Sequence, residues 1–374
     1  MTKRATIGFS EEQAQLLDVA TTFCRDKSPI EKVRSLLEDE RGYDEAIWSE
    51  MAELGWLAIA VPEEFGGIGL GMAEVVPVVE QMGRTMMAGP FVSTTLAAQA
   101  ILLAGTDGQK QKHLADLCAG TKATLALSEP HGDWDLGHVE CAAERTGDTL
   151  KLSGRKTFVE NAETADLLLV SVSLDGAPAL VVVERSALPE GALRREVVID
   201  ETRRSYQVTF DGVEVSTDGL LDPALTSAAL THVDLCASLL LSAEMCGAAA
   251  SCIDYTVDYL QTRKQFGKKI GSYQALKHPI VDAHVGYEQA RSHLYCAAFN
   301  FTQQGEGEVA TRIAKAQAGD ALSFAADRAI QFHGGFGFTH DCDAQLYRRR
   351  SLWCENQHGD AAYQRAKLAD LLLQ

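Results

Sequence analysis

Nine cysteines are present in this sequence, yet no two of them form a Cys-x-x-Cys pair. A zinc ribbon or a redox dithiol needs that spacing, so neither a metal nor a disulfide framework is expected. Free thiols within apolar helical patterns read instead as small hydrophobes in a reducing cytoplasm. Basic residues are also few: 34 Lys and Arg against 52 Asp and Glu leave a net charge of −18. A chain this acidic lacks the cationic face that nucleic-acid phosphates or an anionic membrane require. The opening residues carry two early basic side chains with no apolar core behind them, so no secretory signal is expected. No apolar run is expected to reach membrane-spanning length. There is no internal repeat and no low-complexity linker.

What the chain does hold is apolar surface to bury. It is 46% hydrophobic over 374 residues, enough for a large core and two or three packed units. From Ser10 to about Leu114 the spacing is helical. Ser10-Glu-Glu-Gln resembles a capping box, and Tyr43–Leu54 is amphipathic and stops at Gly55. Val61-Pro62 and Gly66-Gly67-Ile68-Gly69 then interrupt the helices before Met72–Gly83. Past Lys122 the period changes. Short runs rich in Val, Leu and Thr (Thr124–Ser128, Thr149–Ser153, Leu167–Ser173, Ala179–Glu184, Tyr206–Phe210) alternate with turns such as Gly147-Asp148 and Asp175-Gly176. That rhythm predicts an antiparallel β domain. Helical spacing returns over Leu230–Thr262, Gln274–Gln303, Val309–His333 and Arg349–Leu373, long enough for an up-and-down bundle. The expected class is therefore α+β: an N-terminal helical domain (1–119), a middle β domain (120–225) and a C-terminal four-helix bundle (226–374).

The stretch Gln261–His278, QTRKQFGKKIGSYQALKH, sets a guanidinium, an aromatic ring and an amide beside lysines at one helix–turn–helix junction. Arginine clamps diphosphate oxygens bidentately and a phenyl ring lies against a heterocycle, so the junction suits a phosphate-bearing aromatic cofactor. A charged surface turn between two bundle helices fits the spacing equally. Arg-x-x-Phe-Gly-x-x-Ile-x-x-x-Gln resembles the flavin-binding signature of the acyl-CoA dehydrogenase family. Gln331–Phe338 (QFHGGFGF) resembles that family's Gln-x-x-Gly-Gly-x-Gly-Phe turn, and Leu54–Leu70 resembles its N-terminal Val-Pro-Glu-Glu-Tyr-Gly-Gly segment.

The resemblance implies FAD as cofactor, an acyl-CoA thioester as substrate and an electron-transfer flavoprotein as electron acceptor. It also implies that Arg263, Phe266, Gln274, Gln331, Gly334 and Gly335 reach the flavin of a neighbouring subunit. Ser128, in Ser128-Glu129-Pro130, would bond the flavin pyrimidine edge. The sequence then departs from the family. Gly-x-Gly-Ser-Asp becomes His131-Gly132-Asp133-Trp134-Asp135, and Trp-Ile-Thr-Asn becomes Phe158-Val159-Glu160-Asn161. The two family positions for the catalytic glutamate correspond to His358 and Ala237. Glu244, two turns beyond Ala237, is a candidate displaced base, with Asp234 and His358 as further substitutes; a structural ion pair is the competing reading of Glu244. Three readings stay open. The chain is a self-sufficient acyl-CoA dehydrogenase (a homotetramer), or the subunit without catalytic glutamate in an α2β2 steroid side-chain enzyme, paired with a catalytic paralogue. The third is an oxygen-using flavin enzyme on the same fold.

Overall fold

The computed structural model describes residues 10–301 and 307–373. The opening basic residues and the expected end of the second bundle helix at Gln303 lie outside the described residues. In chain order the first helices are α1 (Glu11–Lys27), α2 (Ile30–Ser35), α3 (Glu45–Glu53), α4 (Met72–Arg84), α5 (Phe91–Ala104) and α6 (Asp107–Cys118). Strands follow: β1 (Ala123–Ala126), β2 (Ala142–Thr146), β3 (Thr149–Ser153), β4 (Arg155–Glu160), β5 (Leu167–Leu174), β6 (Ala177–Glu184), β7 (Leu193–Glu196), β8 (Ser205–Thr209) and β9 (Val213–Ser216). Helix α7 (Thr226–Thr262), the short strands β10 (Lys264–Gln265) and β11 (Lys268–Lys269), and helices α8 (Gln274–Asn300), α9 (Glu308–His333), α10 (Ala344–Asn356) and α11 (Ala361–Leu372) complete the order. The expected succession of helices, sheet and helices is thus observed.

Local chemistry starts and stops these elements as the sequence leads one to expect. Ser10 and Gln13 form the capping box of α1, each side chain bonding the other's backbone N–H. α3 ends at Glu53 with Leu54 as its C-cap, and Gly55 follows in the left-handed region at φ 74°. Two expectations are corrected. The last helix is two, α10 and α11, because His358 and Gly359 both take positive φ between them. The sheet is mixed rather than antiparallel. β5 receives β1 and β2 in parallel on one side and β6 antiparallel on the other. The long connection after β1 lets β2 return to the same edge of β5, a pairing no local pattern reveals.

The chain forms two compact units. The sheet-bearing unit comprises Leu36–Gly71 and Ala88–Ala237; the helical unit comprises, of the described residues, those up to Ser35, Met72–Met87 and those from Ser238 onward. In the first, the larger sheet (β1, β5, β2, β3, β9, with β6) and the smaller one (β4, β8, β7) enclose a core that includes Leu150, Leu168, Val170, Val181, Val208 and Phe210. In the second, α8 packs on α9, α10 and α11 pack on α9, and α4 packs on α8. α4 and α7 approach through glycine: a Cβ at Gly83 would lie 2.1 Å from the Glu244 carbonyl oxygen, and one at Gly247 would lie 1.9 Å from that of Glu80. Any side chain at either position would push the two helices apart.

Helix α7 also corrects the expectation about apolar runs. The segment Pro223–Thr262 is long and apolar enough to cross a membrane, but 94% of its apolar stretch is buried inside the protein. Every residue over 235–250 is buried, so this part of the helix needs no polar face; exposed polar residues such as Thr231, Asp254 and Asp258 lie nearer its ends.

Candidate functional site

The flavin-signature residues gather at one end of the helical unit. α7 ends at Thr262, and the chain turns back through the hairpin of β10 and β11. At its tip Phe266 (φ 52°) and Gly267 (φ 73°) are both left-handed, the combination a type I′ turn demands. Glycine accepts this freely, whereas phenylalanine is strained there, at a cost of order 1–3 kcal/mol. Phe266 is nevertheless 86% exposed. A strained aromatic residue held out in solvent gains nothing from its own subunit. Arg263, Lys264, Lys268 and Lys269 around it are all exposed, a local cationic patch on a chain of net charge −18. Arg263 has no side-chain partner among the described residues, and neither has Gln274, the first residue of α8, or Gln331 near the end of α9.

The glycine turn lies at this same end. His333 closes α9, stacked on Tyr259 at 4.1 Å and on Tyr255 at 4.9 Å between ring centroids. Tyr259 sits one turn before Arg263, so the stack ties the root of the hairpin to the glycine turn. His333 Nδ1 lies 2.8 Å from the Ala329 carbonyl oxygen, while its buried Nε2 has no partner among the described residues. Next, Gly334 adopts φ 64° and ψ −143°, a conformation essentially reserved for glycine. A Cβ at Gly334 or Gly335 would meet nothing within 4 Å. The turn therefore offers open space over bare backbone, and with an uncommitted guanidinium nearby these residues fit the ADP portion of a dinucleotide.

Ser128, Phe158 and Glu160 belong to the sheet-bearing unit. A pair that sequence reading missed holds them in place. Lys156, on β4, is fully buried and donates to Glu129 Oε1 at 2.6 Å, Ser171 Oγ at 2.7 Å and the Leu127 carbonyl at 3.3 Å. Thr157 N–H donates to Ser128 O at 2.9 Å. The segment after β1 is thereby stitched to β4. Burial by itself would raise the Glu129 carboxyl, but Lys156 and the backbone N–H groups of Cys141 and Glu140 outweigh it and hold the group below its usual range. Phe158 sits at φ 54° beside a register shift in β4, its N–H donating to Glu196 Oε2 at 2.9 Å. Glu160, which stands where the family has a hydroxyl, has Arg203 3.6 Å from its carboxylate.

The base candidates are placed otherwise. Ala237 is buried on α7. Glu244, 4% exposed, is hydrogen-bonded to Arg350, which is 0% exposed. Asp234 is half-buried. His358 takes φ 55°, and its carbonyl accepts from Gln364 Nε2 at 2.6 Å. Around it, buried Lys315 donates to the carbonyls of Cys354, Glu355 and Gly359, and Asp360 caps α11. The segment matching the family's Glu-Gly-Thr thus acts here as a helix-to-helix connector.

Burial holds three imidazoles below their ordinary value of 6.5: His113 and His232 in one unit, His333 in the other. Their folded forms take up a proton less readily than the unfolded chain does. The stability they contribute is complete above 6.5 and is lost as pH falls from there toward the folded values. The melting temperature is therefore expected to be lower at about pH 5.5 than at about pH 7.5, with His232→Gln flattening the dependence. A melting temperature level across that window would contradict this.

Comparison with known proteins agrees with this geometry. The profile for the acyl-CoA dehydrogenase N-terminal domain matches residues 10–121, and that for the C-terminal domain matches 237–373. The acyl-CoA dehydrogenase IpdE2 of Mycolicibacterium smegmatis is 30% identical over 355 residues, covering 94% of each chain. A solved variant of the steroid ACAD Tcur3481-Tcur3483 is 29% identical, covers 97% of this chain and 98% of that one, and has a TM-score of 0.85. Glutaryl-coenzyme A dehydrogenase in its glutaryl-CoA complex is 24% identical, covers 99% and 98%, and shares the fold at a TM-score of 0.91. The chain belongs to the acyl-CoA dehydrogenase family of flavoprotein oxidoreductases.

Proposed function

We propose that this chain is the partner subunit of a hetero-oligomeric, FAD-dependent acyl-CoA dehydrogenase acting on a steroid or lipid side chain. In this role it contributes one half of each flavin site and no catalytic base. The observation that carries the reading is the hairpin tip: a strained, exposed Phe266 beside an uncommitted Arg263, both presented outward. When bound, FAD accepts the hydride from the acyl Cβ. This chain's part is positioning. Arg263 answers the diphosphate charge, Phe266 lies against the ring system, Gln274 and Gln331 supply amides, and Gly334 and Gly335 allow backbone N–H groups to approach.

The base belongs to a catalytic paralogue in this reading. Ala237 has no ionisable group, His358 lies in a connector, and Glu244 neutralises Arg350. The likeness to a steroid ACAD named as the pair Tcur3481-Tcur3483 supports a two-component assembly. Electrons would leave through an electron-transfer flavoprotein, as the family resemblance implies.

The test is flavin retention by the assembled oligomer. Arg263→Ala is expected to weaken FAD binding by about tenfold or more, since one charge-assisted hydrogen bond contributes roughly 1.5–3 kcal/mol. Gly335→Asp places a carboxylate in open space where phosphate would lie, so it is expected to lower retention without lowering stability. Unchanged flavin content in both variants would refute the assignment.

A further inference from the structure

The segment between β1 and β2, where the family resemblance expects Gly-x-Gly-Ser-Asp, runs His131-Gly132-Asp133-Trp134-Asp135-Leu136-Gly137-His138. Short-range bonds fix its course. Gly132 N–H donates to Glu129 O at 3.0 Å and His138 N–H to Asp135 O at 3.0 Å. Asp135 N–H donates to Asp133 Oδ1 at 2.9 Å, and Gly137 N–H to Asp135 Oδ1 at 3.0 Å. The loop folds back so that the imidazoles of His131 and His138 stack, with centroids 4.5 Å apart and planes 22° from parallel. Asp133 lies against both rings: its N–H donates to His131 Nδ1 at 3.1 Å, and its Oδ2 is 3.2 Å from His138 Nδ1. One ligand atom from each of His131, Asp133 and His138 lies within 4.8 Å of the other two.

We propose that His131, Asp133 and His138 form a binding site for a single divalent transition-metal ion of the zinc class. Two imidazole nitrogens and one carboxylate oxygen suit zinc, nickel or cobalt, whereas magnesium and calcium favour all-oxygen sets. Three protein ligands would leave the remaining positions to water. A neighbouring trio, Glu129, His131 and Glu140, also brings one ligand atom from each residue within 4.8 Å of the other two. Its central carboxylate is already engaged, however. Glu129 is 2% exposed and takes Lys156 and the N–H groups of Glu140 and Cys141. An ion there would have to displace a buried ammonium; at the exposed set it would displace only one contact of His131, either the Asp133 N–H at Nδ1 or Glu129 Oε2, 3.2 Å from Nε2. The site uses none of the residues proposed to contact the flavin, so it does not rest on the partner-subunit reading. Its effect would be to clamp the β1–β2 loop closed.

The experiment uses the complete chain without an affinity tag, in the oligomer it purifies with, after chelator treatment. Titration with zinc by calorimetry, and with cobalt by visible absorption, is expected to give one ion per chain. His138→Asn and Asp133→Asn are each expected to weaken binding by about tenfold or more, while Glu140→Gln leaves it unchanged. The melting temperature of the unsubstituted chain should rise with zinc and that of the variants should not. Ring-proton resonances of His131 and His138 should shift in the unsubstituted chain, a readout that survives if a variant fails to fold. His278, His284 and His293 on α8 offer rival nitrogens. Zinc binding that persists in the His131→Asn/His138→Asn double variant, or ring signals unmoved by zinc, would overturn the proposal.

Discussion

Replacing Arg350 by methionine is expected to destabilise the helical unit by about 3–5 kcal/mol, because it strands the Glu244 carboxylate in an apolar interior. Both partners are buried, with Glu244 on α7 and Arg350 on α10. Its neighbours on α7 are mostly alanine, leucine and cysteine, whose side chains do not replace a buried cation. Replacing both residues, as Glu244→Leu with Arg350→Met, should recover much of the loss, since a buried ion pair is often matched by a well-packed apolar pair. The pair also separates structure from catalysis. Glu244→Gln should lower the melting temperature yet leave turnover per bound flavin within a fewfold. Loss of a true general base costs roughly 10²–10⁴ in rate. A loss of that size with folding and flavin intact would make Glu244 the base. Thermal melts and single-turnover rates on the same variants supply both readings.

A second buried carboxylate repeats this arrangement nearby. Glu80 on α4 accepts from Arg291 Nε at 2.6 Å and from the Tyr295 hydroxyl, both on α8. Burial alone would lower the Arg291 guanidinium, but Glu80 outweighs it and raises it above its ordinary value. Glu80 and Gly83 lie on α4, and Glu244 and Gly247 on α7. Each helix thus presents a glycine that admits the other's backbone and a glutamate that bonds a third helix.

How much of this was legible in advance depended on range. Caps and stops such as Ser10 with Gln13, or Gly55, are settled by residues three or four apart and were readable. The turn after α7 was readable too, from Gly267 among basic residues, but not that it is a β-hairpin with Phe266 at the tip. The parallel pairing of β1 with β5 was not, since alternation along a strand reports which face is buried and says nothing of its neighbour. Glu129 with Lys156 is 27 residues apart, Glu244 with Arg350 is 106, and Glu80 with Arg291 is 211. One signal was available at Glu80, a charge set within the apolar run Val78-Val79-Glu80-Gln81-Met82. An isolated charge at such a position demands a partner but does not name it. His333 was equally hidden, because the tyrosines that sandwich it come from α7.

The most direct test of the central claim is the flavin content of the chain alone and in complex. Each site, on this account, needs a well-formed half from the sheet-bearing unit of one subunit and the hairpin half from another. This chain presents the second half, with Arg263 and Phe266 turned outward, while its own β1–β2 loop departs from the family pattern at His131–Asp135. Expressed alone, it should therefore carry little FAD and show no acyl-CoA dehydrogenation. Co-expressed with a paralogue that carries the catalytic glutamate, it should give a yellow, active complex holding about one flavin for every two subunits. A chain that, by itself, binds about one flavin per subunit and turns over an acyl-CoA would contradict the account.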